Sequence, residues 1–368
     1  MRFAFTDEQD ELRRMVRRAI ASHGGVESAR RVMLDDGFDA ALWKTLAHEL
    51  GLAALAIPEA HGGAGLGWVE IVAVAEELGR AVACVPFLSS ACLATAAILE
   101  CASPSQQADL FPAIARGDAT ATLAWLEVGG AIDPGAIETT ARPAPGDHVI
   151  LSGKKRFVVD GATADLLLVV AKDSGGLGVY AVPAGATGVR RRRLPTMDAT
   201  RALAEVVLAD VRIPASSKLG TAGWPEIARA IARAQVALAA EQVGGAQAAL
   251  ELSVEYAKVR HQFGKPIGSF QAIQHTLAEM FVAVETARSA AYHAAIDFDP
   301  ISAAATGVYC GDAFYRCAAD AIQVHGGIGF TWEHDAHLFF KRARASRTLF
   351  GAPNDHRDRV AASLGLGI

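Results

Sequence analysis

Strand signals occupy one block of this chain and no other. Over residues 120–214 the sequence reads as short β-rich runs, HVILSGKKRFVVDG, ADLLLVVAKD, GLGVYAVPA and ALAEVVLADVRIP, punctuated by Gly and Pro. On both sides of that block apolar residues recur at helical spacing. An order of helices, strands, then helices excludes the alternating pattern of a doubly wound parallel sheet. The fold class expected is therefore α+β and multidomain: an N-terminal helical domain over 1–117, a β barrel or sandwich over 118–220 and a C-terminal helical bundle over 221–368.

The helical parts carry local signals of their own. Thr6 and Gln9 form a T-x-x-Q capping box, and Leu12, Met15, Val16 and Ile20 follow on one face. Further helices are expected over 39–50, 68–79, 89–115, 227–259, 269–296, 303–324 and 337–350. The segment GLAALAIPEAHGGAGLG reads as a Gly-rich loop, and HVILSGKKRFVVDG as two strands around a Ser-Gly turn.

Composition removes several function classes. The chain has 368 residues, 51% of them apolar, and a net charge of −5. A nucleic-acid binder would be basic. No uncharged apolar run reaches the 18 residues of a spanning helix. MRFAFTDEQDELRR is charged where a signal peptide is apolar, so a cytoplasmic protein is expected. Cys84, Cys92, Cys101, Cys310 and Cys317 lack CxxC spacing and read as buried, reduced thiols. His334 and His337 with Asp335 have a metal-like spacing but no third ligand, so no metal is expected. Arg190–Arg193, four consecutive arginines, reads as a solvated β-turn face.

Five segments, taken in order, resemble the acyl-CoA dehydrogenase family along nearly the whole chain. They are FTDEQDELRR, ELGLAALAIPEAHGGAGLG with EELGRA, LSGKKRFVVDGATAD, RHQFGKPIGSFQAIQH and QVHGGIGFTWEHD. The resemblance implies an α domain, a β domain and a four-helix α domain, assembled as a tetramer. It also implies FAD at subunit interfaces, the flavin ring lying on one chain and its ADP end gripped by another. The matching grip is Arg260, Gln262 and Phe263, with Ile267, Phe270 and Ile273, and Gln323, Val324, Gly326 and Gly327. An arginine suits a pyrophosphate, apolar walls suit adenine, and paired glycines admit a close backbone approach.

The other half of the family pattern is altered. Where the family has T-E-P-x-A-G-S-D, this chain has TLAWLEVGGAIDPGAIETT, sharing only Glu127. Where the family has W-I-T, it has Phe157, Val158 and Val159, and a valine cannot donate to a flavin. Dehydrogenation also needs a carboxylate for the α-proton. The two positions where family members keep it are Phe350 and Ala234 here. Glu241, two helical turns beyond Ala234, is the one displaced candidate, with Asp355 and Glu333 weaker.

Three readings follow. The first is a partner subunit of a heterotetrameric acyl-CoA dehydrogenase that supplies the ADP half of the FAD site, as in steroid-degrading members of the family. Its other partners would be an acyl-CoA substrate, a second acyl-CoA dehydrogenase-like subunit and an acceptor such as an electron-transfer flavoprotein. The second is a self-sufficient homo-oligomer using Glu241. The third is a non-catalytic binding or scaffold protein on the same fold.

Overall fold

The computed structural model describes residues 5–130 and 132–366. The first four residues of the segment read above for signal-peptide character lie outside them. The chain divides into two compact units. The helical unit comprises Met1–Arg31, Trp68–Ala83 and Gln235–Ile368; the sheet unit comprises Val32–Gly67 and Cys84–Ala234.

Before the strands come α1 (Asp7–Ser22), α2 (Val26–Val32), α3 (Ala40–Lys44), α4 (Trp68–Arg80), α5 (Thr95–Cys101) and α6 (Pro104–Ala115). The strands are β1 (Ala121–Ala124), β2 (Thr140–Ala144), β3 (His148–Val159), β4 (Leu166–Asp173), β5 (Gly176–Pro183), β6 (Val189–Arg193) and β7 (Leu203–Pro214). After them come α7 (Trp224–Val259), a hairpin of β8 (His261–Gln262) and β9 (Lys265–Pro266), and α8 (Gln271–Ile296). The chain continues with α9 (Pro300–His325), α10 (Ala336–Ser346) and α11 (Pro353–Ser363).

In the helical unit, α4 and α7 meet backbone to backbone. A Cβ on Gly244 would lie 1.9 Å from the Glu76 carbonyl oxygen, and one on Gly79 would lie 2.0 Å from that of Glu241. No larger residue fits either position. Beside this contact, Glu76 and Glu77 are buried on α4. Glu76 accepts from Arg13 Nη2 at 3.0 Å, Arg288 Nε at 3.1 Å and the Tyr292 hydroxyl at 2.9 Å. Glu77 accepts from Arg13 Nε at 3.1 Å and from Arg17. Buried carboxylates survive only when charges and donors meet them, and here those partners join α1, α4 and α8. The Thr6–Gln9 capping box forms as expected.

The sheet unit is built on a mixed seven-stranded sheet in the order β1-β4-β2-β3-β7-β6, with β5 paired to β4. β1 runs parallel to β4, and the β3–β7 and β4–β5 pairs are antiparallel. Leu151, Leu167, Val169, Tyr180, Val206, Leu208 and Ile213 fill its core.

Four local expectations are revised. Ser152 and Gly153 do not turn the chain; β3 continues through them with a shift of register. Gly153 is required there because a Cβ would lie 2.4 Å from Thr139 Oγ1. The helix expected over 89–115 is interrupted, α5 ending at Cys101 before Ser103 caps α6. α10 stops at Ser346, before Phe350. Arg190–Arg193 forms most of β6 and is no turn.

Candidate functional site

In the helical unit the β8–β9 hairpin turns on Phe263 (φ 53°) and Gly264 (φ 80°). Two successive positive φ angles match a tight hairpin turn, where an aromatic residue is strained. Phe263 is nonetheless 90% exposed and meets Phe270 edge-on at 6.1 Å. Arg260 is fixed by its backbone alone: its N–H donates to the Tyr256 carbonyl at 2.9 Å and its carbonyl accepts from Ile267 at 2.8 Å. The side chains of Arg260, Gln262 and Gln323 are exposed and have no hydrogen-bond partner among the described residues. Ile267, Phe270 and Ile273 are half-buried beside them in sequence, and Val324 is buried.

The second motif sits where α9 ends. Gly326 has φ 63° and ψ −139°, a backbone state open to glycine alone. A Cβ on Gly326 or Gly327 would meet nothing within 4 Å, so these glycines leave room for an incoming group. The two motifs are joined through Tyr256 and His325, whose rings lie 4.4 Å apart. Free guanidinium and amide donors beside an open glycine turn are the donor set that a nucleotide diphosphate requires. The residues present fit the ADP portion of FAD.

The sheet unit holds the segments that the family places against the flavin. Phe157 stands at φ 55° where β3 shifts register on β7, and it is 36% exposed. Val159 is buried and its carbonyl accepts from Thr122 Oγ1 at 2.7 Å. Beneath this stretch lies a feature the sequence reading missed. Lys155 is fully buried, and its Nζ donates to Glu127 Oε1 at 2.6 Å. Glu127 also accepts from Thr139 Oγ1 at 2.7 Å and from the backbone N–H groups of Glu138 and Thr139. Burial pushes the Lys155 ammonium down to about 8, against the pull of Glu127. For Glu127, burial acts upward, but Lys155 and Thr139 outweigh it and hold the carboxyl below its usual range. Glu127 thereby ties Lys155 to Glu138 and Thr139. Nothing in the sequence signalled this pair, since Lys155 stands between Lys154 and Arg156.

Neither position expected for a base holds a carboxylate. Phe350 is 2% exposed and Ala234 is fully buried. Glu241 accepts from Arg342 Nη1 at 2.8 Å, and Arg342, itself 2% exposed, also donates to the Val82 carbonyl at 3.3 Å. Asp355 caps α11 by accepting from the Ala352 N–H at 2.9 Å. Glu333 is exposed.

Elsewhere, all five cysteines are buried and none forms a disulfide, as expected. Burial pushes the Cys101 and Cys317 thiols up to about 12 and that of Cys310 further, so none is a ready nucleophile. His334 Nδ1 accepts from the Ala336 N–H. Among the described residues no cluster of three or more His, Cys, Asp or Glu is placed to hold a metal. On β6, Arg191 donates to the Ala164 carbonyl and Arg193 to that of Ala199, while Arg192 pairs with Glu205. Among the described residues no helix is long and apolar enough to cross a membrane.

Fold and donor set together define a flavin-dependent dehydrogenase. Three domain models of one family match in chain order: the acyl-CoA dehydrogenase N-terminal domain over residues 6–118, the middle domain over 122–211 and the C-terminal domain over 221–365. The chain belongs to the acyl-CoA dehydrogenase family, and it is an FAD-dependent oxidoreductase of that type. It is 37% identical to acyl-CoA dehydrogenase IpdE2 of Mycobacterium tuberculosis, over 97% of this chain and 98% of that one. A chain of the ChsE4–ChsE5 complex from Mycobacterium tuberculosis superposes with a TM-score of 0.90 at 30% identity, covering 100% of both chains. A chain of a Tcur3481–Tcur3483 steroid ACAD variant gives 0.87 at 31% identity, covering 98% of each.

Proposed function

We propose that this chain is the partner subunit of a heteromeric acyl-CoA dehydrogenase acting on a bulky, steroid-type acyl-CoA in the cytoplasm. It supplies the ADP half of a shared FAD site, and the second subunit supplies the flavin-ring half and the base. The observation that carries this reading is an asymmetry. The donors for a diphosphate are free and exposed, whereas both positions for a base are buried and apolar. The relatives named for two-chain assemblies, ChsE4–ChsE5 and the Tcur3481–Tcur3483 steroid enzyme, support the heteromer and the substrate class. Domain boundaries near residues 117 and 220, a tetrameric assembly and an electron-transfer flavoprotein as acceptor belong to the same reading.

Each residue then has one task. Arg260 meets the pyrophosphate, Gln262 and Gln323 donate to oxygens around it, and Phe263, Ile267, Phe270 and Ile273 wall the adenosine. Val324, Gly326 and Gly327 bring backbone close. When bound, FAD supplies the acceptor for hydride leaving the β-carbon of the thioester. The α-proton needs a carboxylate, worth roughly 10²–10⁴-fold in rate, and that carboxylate comes from the partner. Phe157 and Val159 offer no hydroxyl to a flavin.

The self-sufficient alternative depends on Glu241. Its hydrogen bond from buried Arg342 supports a structural role instead, because a base must give up such a partner to take a proton. The experiment is co-expression with an acyl-CoA dehydrogenase-like partner chain, followed by flavin quantification and acyl-CoA-dependent dye reduction. Flavin and turnover confined to the complex support the proposal. A yellow, active lone chain that Glu241→Gln inactivates supports the alternative, and a complex with neither flavin nor turnover supports a scaffold.

A further inference from the structure

The turn that carries Gly326 and Gly327 is built around His325. This residue closes α9 and is 4% exposed. A Cβ on Gly329 would lie 2.9 Å from His325 Cβ, so the 326–329 turn folds directly over the histidine. Its ring lies between two others, with Tyr256 of α7 at 4.4 Å and His334 at 4.3 Å. Tyr256 in turn holds the Arg260 N–H through its carbonyl. His325 thus adjoins the glycine turn and packs on the residue whose carbonyl holds the Arg260 backbone.

The hydrogen bonds place one proton on each imidazole. His325 Nδ1 lies 2.6 Å from the Ala321 carbonyl, which can only accept. Nδ1 therefore carries a proton, and in the neutral ring Nε2 is a bare acceptor. That Nε2 is buried with no hydrogen-bond partner. His334 Nδ1 accepts from the Ala336 N–H at 3.2 Å, so its proton is on Nε2. Adding a proton to His325 would create a buried N–H without an acceptor, and a charge against a second imidazole.

The charged groups around the pair do not reverse this. Arg30, from α2, disfavours the charged form of His334, while Asp335 favours it. Asp335 is already engaged, accepting from Arg30 Nε at 2.7 Å. His337 and Lys341 lie on α10, and Lys341 sits 3.8 Å over the Trp332 ring. The C-terminus of α9 and the Ala321 carbonyl favour an imidazolium at His325. Burial is the larger effect, and it holds His325 below the usual imidazole range, with His334 acting the same way. Burial likewise lowers His334 and His337.

We propose that His325 is a positioning residue for the cofactor: held neutral between Tyr256 and His334, it sets the Gly326–Gly327 turn, and its protonation releases the ADP half of FAD. The inference rests on the reading that this chain grips that half. The proton taken up is one from solvent, and no other bond changes. FAD affinity should then fall about tenfold per pH unit once the pH drops below the folded value of His325, the slope of a single linked proton.

The test uses the assembled enzyme and FAD itself, with flavin fluorescence reporting release as pH is lowered from neutrality through the imidazole range. The variant is His325→Phe, which keeps a planar ring in the stack and removes the titration. Its FAD release should lose the pH slope seen in the natural enzyme. A slope that persists unchanged in His325→Phe overturns the proposal. If that variant does not fold, His334→Phe serves, because it removes the neighbouring imidazole that helps hold His325 low and should shift the slope to higher pH; an unshifted slope overturns the proposal equally. Arg260→Ala separates the two levels of the argument. Unchanged FAD affinity there removes the cofactor grip, whereas weakened affinity with a pH slope indifferent to His325 removes only the positioning role.

Discussion

Arg260 and Lys155 mark the two kinds of charged residue in this chain. Arg260 is exposed and free, so it is poised for a ligand. Arg260→Ala in the assembled enzyme should cost about 1.5–3 kcal/mol of FAD affinity, the range for a hydrogen bond to a charged group. Equilibrium dialysis of flavin against the complex checks it, and an unchanged Kd would count against the grip. Lys155 is buried and satisfied by Glu127. Lys155→Met leaves the Glu127 carboxylate without its counter-charge and should destabilise the fold by roughly 3–5 kcal/mol. A urea midpoint equal to that of the natural chain would refute this. The pair could not be read from the sequence, because 28 residues separate its members and they meet only where β3 folds against the segment after β1, the Arg156 N–H donating to the Leu126 carbonyl at 2.9 Å. The Arg342–Glu241 pair was hidden for the same reason, being 101 residues apart. The motifs that carry the proposed diphosphate donors could be picked out because each is local: RHQFG is one helix end and hairpin, QVHGGIG one helix end and turn.

At the scale of elements, the glycines of α4 and α7 decide how closely the helices approach. Gly244→Ala would press a methyl group against the Glu76 carbonyl, where 1.9 Å is available. The backbone must shift, at a cost of about 1–3 kcal/mol or more. Thermal unfolding of the variant measures it, and an unaltered Tm would show that the helices can slide apart freely. The order of helical and β segments was readable from periodicity and composition, since α7, α8 and α9 are long and rich in Ala. Element ends were less so. The break before α6 is signalled by Ser103 and Pro104, with Gln106 completing a capping box, yet the apolar run on either side masks it. The bulge at Gly153 resembles a turn in sequence, because what demands glycine there is Thr139 on another segment.

For the whole molecule, stability should fall on acidification before carboxylates titrate. Burial holds the His356 imidazole down to about 4, and lowers His325, His334 and His337 as well. In the unfolded chain these groups take protons near 6.5, the ordinary imidazole value. Between that value and about 4 the unfolded state therefore binds more protons, and stability declines as pH falls through this window. Urea midpoints measured across it should decrease steadily, and a flat profile would contradict the burial of neutral imidazoles. The central claim concerns assembly, and flavin stoichiometry tests it most directly. Flavin and protein are quantified for the lone chain and for the complex with a dehydrogenase-like partner. The account expects a lone chain almost free of FAD, and a complex holding about one FAD per heterodimer. One FAD per chain in the lone protein, with full acyl-CoA-dependent turnover, would contradict it.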